Sequence, residues 1–250
     1  MTPLLAIVRV TIGQLTGRTR LIGFGLLSLV PALLLAAASR SADPTALDLE
    51  LGVLLVVPFF ALVIPITTLI LAGSALGEER RDKTLSFLVL RPISRIEIAV
   101  AKTIAAAAVS TGFAAVGALA LSVTWAAVGG SLDVFPPILL GATLACVMYG
   151  AVFVLIGNVL ARSTVVGLIY VLLFETAIVD EIPRLASVSL WRIGLGATLE
   201  TMPAHFPARA FLAALGEWVP SAGSALIAMG SITLVTVGIC TLLLKRTDAI

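Results

Sequence analysis

Charge is what this sequence has least of. Asp, Glu, Lys and Arg make up 12% of its 250 residues, against about a quarter in a soluble globular domain. Hydrophobic residues reach 60% and the mean hydropathy is +1.15, so the composition is that of a membrane protein. Histidine is nearly missing: His205 is the single one, which excludes a two-histidine metal centre. The two cysteines, Cys146 and Cys240, both fall inside apolar runs, so neither a disulfide nor a metal site is expected. No G-x-x-x-x-G-K-[ST] loop is present to cradle a nucleotide. H-E-x-x-H and G-x-S-x-G are also missing, so an intramembrane hydrolase would lack its tools. The net charge of +2 carries no pull toward nucleic acid.

The few charges are gathered in one place. Gly77 to Lys102, GEERRDKTLSFLVLRPISRIEIAVAK, holds ten of the thirty charged residues. A stretch this charged is too costly for hydrocarbon, at roughly 2.5–3.5 kcal/mol per central charge, and is expected to be a water-facing loop between two spans. Inside it, Thr84 to Leu90 (TLSFLVL) is an apolar run too short to cross a membrane. Arg91-Pro92 breaks that run, because proline lacks the amide hydrogen and disfavours helix at the residue before it. Ser94-Arg95-Ile96-Glu97 then reads as a capping box that starts a new helix. From the residues alone, the short apolar segment is either a plug for a groove on another protein or an interfacial helix resting on lipid.

The rest of the chain reads as an all-α polytopic membrane protein forming one transmembrane domain over residues 1–250. Thr2 to Thr19 carries Leu4, Leu5, Val8, Ile12 and Leu15 at helical spacing, with Arg9, Gln14 and Arg18 elsewhere around the wheel. It predicts an amphipathic helix in the interface. No A-x-A-like site follows the first apolar run, so no cleaved leader is expected. Six spans follow, at about 21–38, 51–76, 98–128, 138–160, 164–179 and 219–244. The second contains Pro58 and Pro65 and exceeds a roughly 30 Å core, so it must tilt, kink or project. Gly129-Gly130 ends the third, and Asp133, Pro136 and Pro137 mark a turn before the fourth.

Basic residues set the orientation. Arg9, Arg18, Arg20, the six Lys and Arg of the charged stretch, Arg162, Lys245 and Arg246 share one side. They are twelve of the sixteen; Arg40, Arg184, Arg192 and Arg209 fall on the other. The reading is a multi-pass protein of the plasma membrane with both termini and the charged stretch in the cytoplasm. The outer segment Asp180 to Trp218 has no spanning run. Ser187 to Leu199 and Ala208 to Trp218 predict two short amphipathic helices, with Trp191 and Trp218 at headgroup level.

Glu175 is the one carboxylate well inside a span, and an ionisable group there is a functional candidate by default. It either braces a helix or lines a pathway, or else reaches the outer surface past Asp180. Thr67 and Thr68 follow Pro65 and are expected to satisfy backbone groups that the kink frees. Phe59, Thr67, Thr68, Tyr170, Phe174 and Glu175 are the candidates for a pathway.

Glu79-Arg80, Thr84-Leu85, Pro92-Ile93-Ser94-Arg95, Glu97 and Lys102 resemble, in order and spacing, the signature loop of the ABC-2 type permeases. Those are the membrane subunits of ATP-binding-cassette transporters. Lys83 stands where that pattern has glycine, and Ala101 precedes Lys102 where a second glycine is usual. The resemblance implies that Thr84 to Leu90 is a coupling helix on an ATPase. Glu79, Arg80, Thr84, Leu85, Phe87, Leu88, Leu90, Arg91, Pro92, Ser94, Arg95 and Glu97 would make or frame the contact. It also implies two permease chains with two soluble ATPase subunits, ATP and Mg in the partner and none in this chain, and export as the activity. The short outer helices would dip back and cap the pathway. The alternative is an ATP-independent secondary transporter or membrane assembly factor. That reading predicts inverted repeats and several buried charges, and the sequence shows neither.

Overall fold

The computed structural model describes residues 3–40, 54–81, 93–160, 162–178, 188–204, 206 and 220–247. Among these residues every regular element is helical. Helix α1 (Pro3–Leu15) turns Ile7, Thr11 and Leu15 inward, with Leu4, Val8 and Ile12 beside them. Leu5 is exposed instead, because the buried stripe follows the spacing 4, 7, 8, 11, 12, 15 and leaves position 5 behind it. Helix α2 (Arg18–Ala38) follows after a break at Gly17.

The second span begins as a π-helix, π1 (Leu55–Val63), which holds Pro58, and continues as α3 (Ile64–Arg81). Proline has no amide to give to a helical ladder, and π-turns are one way a helix absorbs that loss. The charged stretch is therefore not a loop from Gly77 onward: Gly77 to Arg81 complete α3. Two carboxylates near a helix C-terminus oppose its dipole, but Glu78 and Glu79 are both paired by cations from neighbouring helices. Helix α4 (Arg95–Ala127) starts at the Ser94–Glu97 capping box. It stops where Gly129 takes φ +104°, with the amide of Gly130 donating back to Trp125, the usual glycine exit from a helix.

A short 3₁₀ turn (Leu132–Val134) leads into α5 (Phe135–Val159). Pro136 and Pro137, expected in the preceding turn, lie in the first turn of α5. The amides they lack have no intrahelical partner at that position. The fifth apolar segment is a short α-helix, α6 (Ser163–Ile169), continued by a second π-helix, π2 (Tyr170–Ile178). Helix α7 (Leu190–Thr201) and helix α8 (Ala222–Thr247) complete the described chain. Among the described residues, five helices are long and apolar enough to cross a membrane; the segment of α6 and π2 is shorter. The second expected outer helix, 208–218, His205 and Trp218 lie outside the described residues.

Helix α5 is central, touching α3, α4, α6, α7 and α8. It approaches two neighbours through glycine. A Cβ on Gly157 would stand 2.6 Å from the Gly73 carbonyl oxygen of α3. A Cβ on Gly141 would stand 2.2 Å from the Gly194 carbonyl oxygen of α7. Without a hydrophobic drive between helices in lipid, such close backbone approach is a main source of association. Hydroxyls are kept out of lipid by bonding back one turn, as Ser28 does to Phe24, Thr103 to Ala99 and Ser122 to Ala118. Burial falls from 78% of residues in the α3 span to 28% in α2 and 17% in α8, so α2 and α8 form the rim. Cys146 and Cys240 are free and buried.

The Gly157 crossing gives a stability test. Gly157→Ala should destabilise the detergent-solubilised protein by about 1–3 kcal/mol through overpacking. Gly23→Ala, where a Cβ meets nothing within 4 Å, should be neutral or slightly stabilising. Equal melting temperatures for both variants would refute the crossing.

Candidate functional site

Two polar constructions stand at opposite ends of the helices. The first joins the flanks of the charged stretch. Lys102 lies seven residues into α4 and is 2% exposed, and its Nζ is 2.5 Å from Glu79 Oε1 on the last turn of α3. Beside it, Arg20 at the start of α2 pairs with Glu78. Three helices are thus tied at one end by two ion pairs. Ser94 and Glu97 close the capping box, with the Glu97 amide donating to Ser94 Oγ at 3.3 Å and the Ser94 amide donating to Glu97 Oε2 at 3.1 Å. Arg95 Nη1 donates to the Ile93 carbonyl.

Thr84, Leu85, Phe87, Leu88, Leu90, Arg91 and Pro92 lie outside the described residues, as does the side chain of Arg80. The described flanks hold Glu79, Ser94, Arg95 and Glu97. Sequence reasoning placed Lys102 in the charged stretch but missed its pairing, and it missed Arg20 and Glu78 as partners. The signal was available: a lone lysine in the apolar run AVAKTIAAAA needs a buried anion.

The second construction is built on Glu175 in π2, which is fully buried and so does not reach the outer surface. Its Oε1 accepts from the Tyr170 hydroxyl at 2.9 Å and from the Leu190 amide at 3.1 Å. Its Oε2 accepts from the Ser189 hydroxyl at 2.5 Å. The backbone carbonyl of Glu175 accepts from Trp191 Nε1 at 3.1 Å. Leu190 is the first residue of α7, whose cap residue Ser189 makes no side-chain cap of its own. The carboxylate of Glu175 therefore caps α7 from another helix, satisfying an amide that has no intrahelical partner.

Trp191 was expected at headgroup level. It is 4% exposed, because its indole N–H is used on Glu175 and its ring lies in the core, with the Arg192 guanidinium 5.1 Å from the ring centre. Helix α7 buries nine of its twelve residues, so it is an inserted element and not a surface one. At its far end the Glu200 carboxylate accepts from the amide of Ala222 and caps α8.

Aromatic rings surround this centre. Tyr149 stacks on Phe153 at 5.4 Å, Phe153 meets Tyr170 edge-on, and Tyr170 stacks on Phe174 at 5.3 Å. The Tyr149 hydroxyl faces the Glu175 carboxyl without a hydrogen bond of ordinary geometry. The other pathway candidates are Phe59, Thr67 and Thr68. Phe59 is fully buried and meets Phe60 edge-on. Thr68 donates to Cys146 Sγ at 3.9 Å, and the Thr67 hydroxyl has no partner among the described residues. Neither threonine serves the backbone as expected: the helix has re-formed as α3 by Ile64, so the proline-strained turn lies earlier, in π1.

The sequence model of one family, described as ABC-2 family transporter protein, matches residues 18–179. The match runs from α2 to just past the end of π2 and takes in both constructions except for α7. No curated protein matches the chain.

The Glu175 network predicts an ordered series. Glu175→Gln keeps an acceptor for Leu190 and can reverse the Ser189 bond, so it should cost about 1 kcal/mol. Glu175→Leu strands the Ser189, Leu190 and Tyr170 donors and should cost about 3 kcal/mol or more. Equilibrium unfolding in lipid nanodiscs checks the order; a leucine variant as stable as the wild type would remove the capping role.

Proposed function

The chain belongs to the ABC-2 family of transporter proteins, and from that membership we propose that it is the permease subunit of an ATP-binding-cassette exporter. In this reading it supplies the membrane pathway, and a separate soluble ATPase supplies ATP, Mg and the energy. The observation that carries the reading is the charged stretch with its fixed flanks. Helix α3 ends at Arg81 and α4 begins at Arg95, and Glu79 and Lys102 hold those flanks together. Between those flanks the sequence carries Leu85, Phe87, Leu88 and Leu90. Such side chains suit a groove on the ATPase, framed by Glu79, Arg80, Arg91 and Arg95.

The working assembly is two permease chains with two ATPase subunits in the plasma membrane, with termini and charged stretch in the cytoplasm. The separation of basic residues supports that orientation. Phe59, Thr67, Thr68 and Glu175 are all buried within the subunit, while Tyr170 and Phe174 are partly buried. A pathway along them opens only when the second and fifth spans part. ATP-driven closure of the ATPase pair would supply that displacement, and α7 would close the outer end.

The coupling assignment is tested at Leu88. An apolar anchor in an interface groove is worth about 2 kcal/mol or more on truncation, and a buried unpaired charge is worse. Leu88→Asp should leave the protein inserted and dimeric but lose the co-purifying ATPase or uncouple its hydrolysis. Normal capture and normal hydrolysis in that variant would defeat the assignment, as would ATP hydrolysis by the wild-type chain alone.

Orientation is tested by thiol labelling of intact cells. Cysteines placed at Ser131 and Ser187 should react with an impermeant reagent, and one at Ser86 should be protected. Reaction at Ser86 would invert the topology.

A further inference from the structure

We propose that the Glu79–Lys102 ion pair, with Arg20–Glu78 beside it, is a clamp that makes α2, α3 and α4 one mechanical body at the base of the coupling segment. The proposal rests on the coupling reading above and assigns to Lys102 and Arg20 a positioning role that the docking residues do not have. Residues 82–92 join the end of α3 to the approach to α4. If those two ends were free of each other, a push on the segment would be spent in splaying them. The Glu79–Lys102 pair says that they are tied. Lys102 Nζ and Glu79 Oε1 are 2.5 Å apart, the lysine is 2% exposed and the glutamate 18%. Pulling the pair apart strands an ammonium away from water, which is far costlier than parting an exposed pair. The neighbouring carboxylate, Glu78, reaches the opposite way, to Arg20 at the start of α2. Adjacent residues on one helical turn thus bind helices on two sides.

The clamp also connects to the far end of the second span. Helix α2 is on the rim and packs on α4 and π1, and α3 continues directly from π1, so the joined helices run the length of the second span. A displacement of residues 82–92 then arrives at π1, at the far end of that span, without loss into helix separation.

The test is backbone hydrogen exchange on the full chain in lipid nanodiscs. Compared are the wild type, E79Q, K102M, the doubly neutral E79Q/K102M and the reversed pair E79K/K102E. Each single variant should speed exchange about tenfold or more at the end of α3 and the start of α4 together, while α5 stays protected. The doubly neutral variant should loosen those ends no more than either single one, because the second change removes the charge that the first strands. The reversed pair should restore protection toward the wild type. Single variants that loosen only their own helix, or additive loosening in the doubly neutral variant, would overturn the clamp.

A second arm uses the complex with the ATPase that co-purifies, with and without ATP and vanadate. In the wild type, exchange should change in α2, α3 and α4 together; in K102M, which keeps the Arg20–Glu78 pair, the change should be kept in α2 and α3 and lost from α4. A K102M complex that still moves all three helices would overturn the proposal. Failure of the coupling reading looks different: no ATPase is captured by the wild type, while the nanodisc comparison still decides the clamp.

Discussion

The ammonium of Lys102 sits seven residues into an apolar helix and is almost wholly out of contact with solvent, held by the Glu79 carboxylate. An unpaired charge in that place would make α4 unstable as a membrane helix, so the sequence of α4 calls for a buried anion at that depth, and Glu79 of α3 supplies it. Other features at that end depend on it. It lets α3 run on through Glu78 and Glu79 against the preference of its own dipole. It also fixes the distance between the two ends of residues 82–92. Through Glu78 and Arg20 the same turn reaches α2, so the three helices that surround the charged stretch share one polar joint.

The opposite end solves a related problem with the same residue type. A helix that starts inside the protein, away from water, leaves amides without partners. Helix α7 has a serine at its cap position that does not cap it, and Glu175 from π2 supplies the missing acceptor. At the other end of α7, Glu200 does the same for the first residue of α8. Carboxylates thus fasten α7 to the spans before and after it, and the glycine contact with α5 at Gly141 holds its middle. The three attachments explain how an element with one tryptophan and one arginine in its first turn is buried: Trp191 gives its N–H to Glu175 and lies under the Arg192 guanidinium.

What could be read from the sequence was local. The capping box at Ser94 and Glu97 depends on residues three apart, and the reading of it matches the bonds in the structure. The long apolar helices were legible for the same reason, since length and composition decide them. What was missed is non-local. Glu79 meets Lys102 and Glu175 meets Ser189 only after the helices cross, and nothing in either neighbourhood names the partner. The π-helices were hidden too. Pro58 announces a disturbance, but whether the chain kinks or takes a π-turn depends on what packs around it, here α2, α7 and the second π-helix. The burial of Trp191 was misread because amphipathic spacing does not say whether the opposite face meets water or protein.

The family signature can now be divided by what its residues do inside the chain. Glu79 and Lys102 close the base, and Ser94 and Glu97 start α4. These four are used by the fold itself, whatever lies beyond the membrane surface. Leu85, Phe87, Leu88 and Leu90 lie in the sequence between the end of α3 and the start of α4. A substitution at the base therefore acts first on the joint between α3 and α4 and only through it on any partner. The spacing of the motif, with its acid and its lysine far apart in sequence, is then the spacing needed to leave one helix, turn, enter another and bring the two charges back to the same depth.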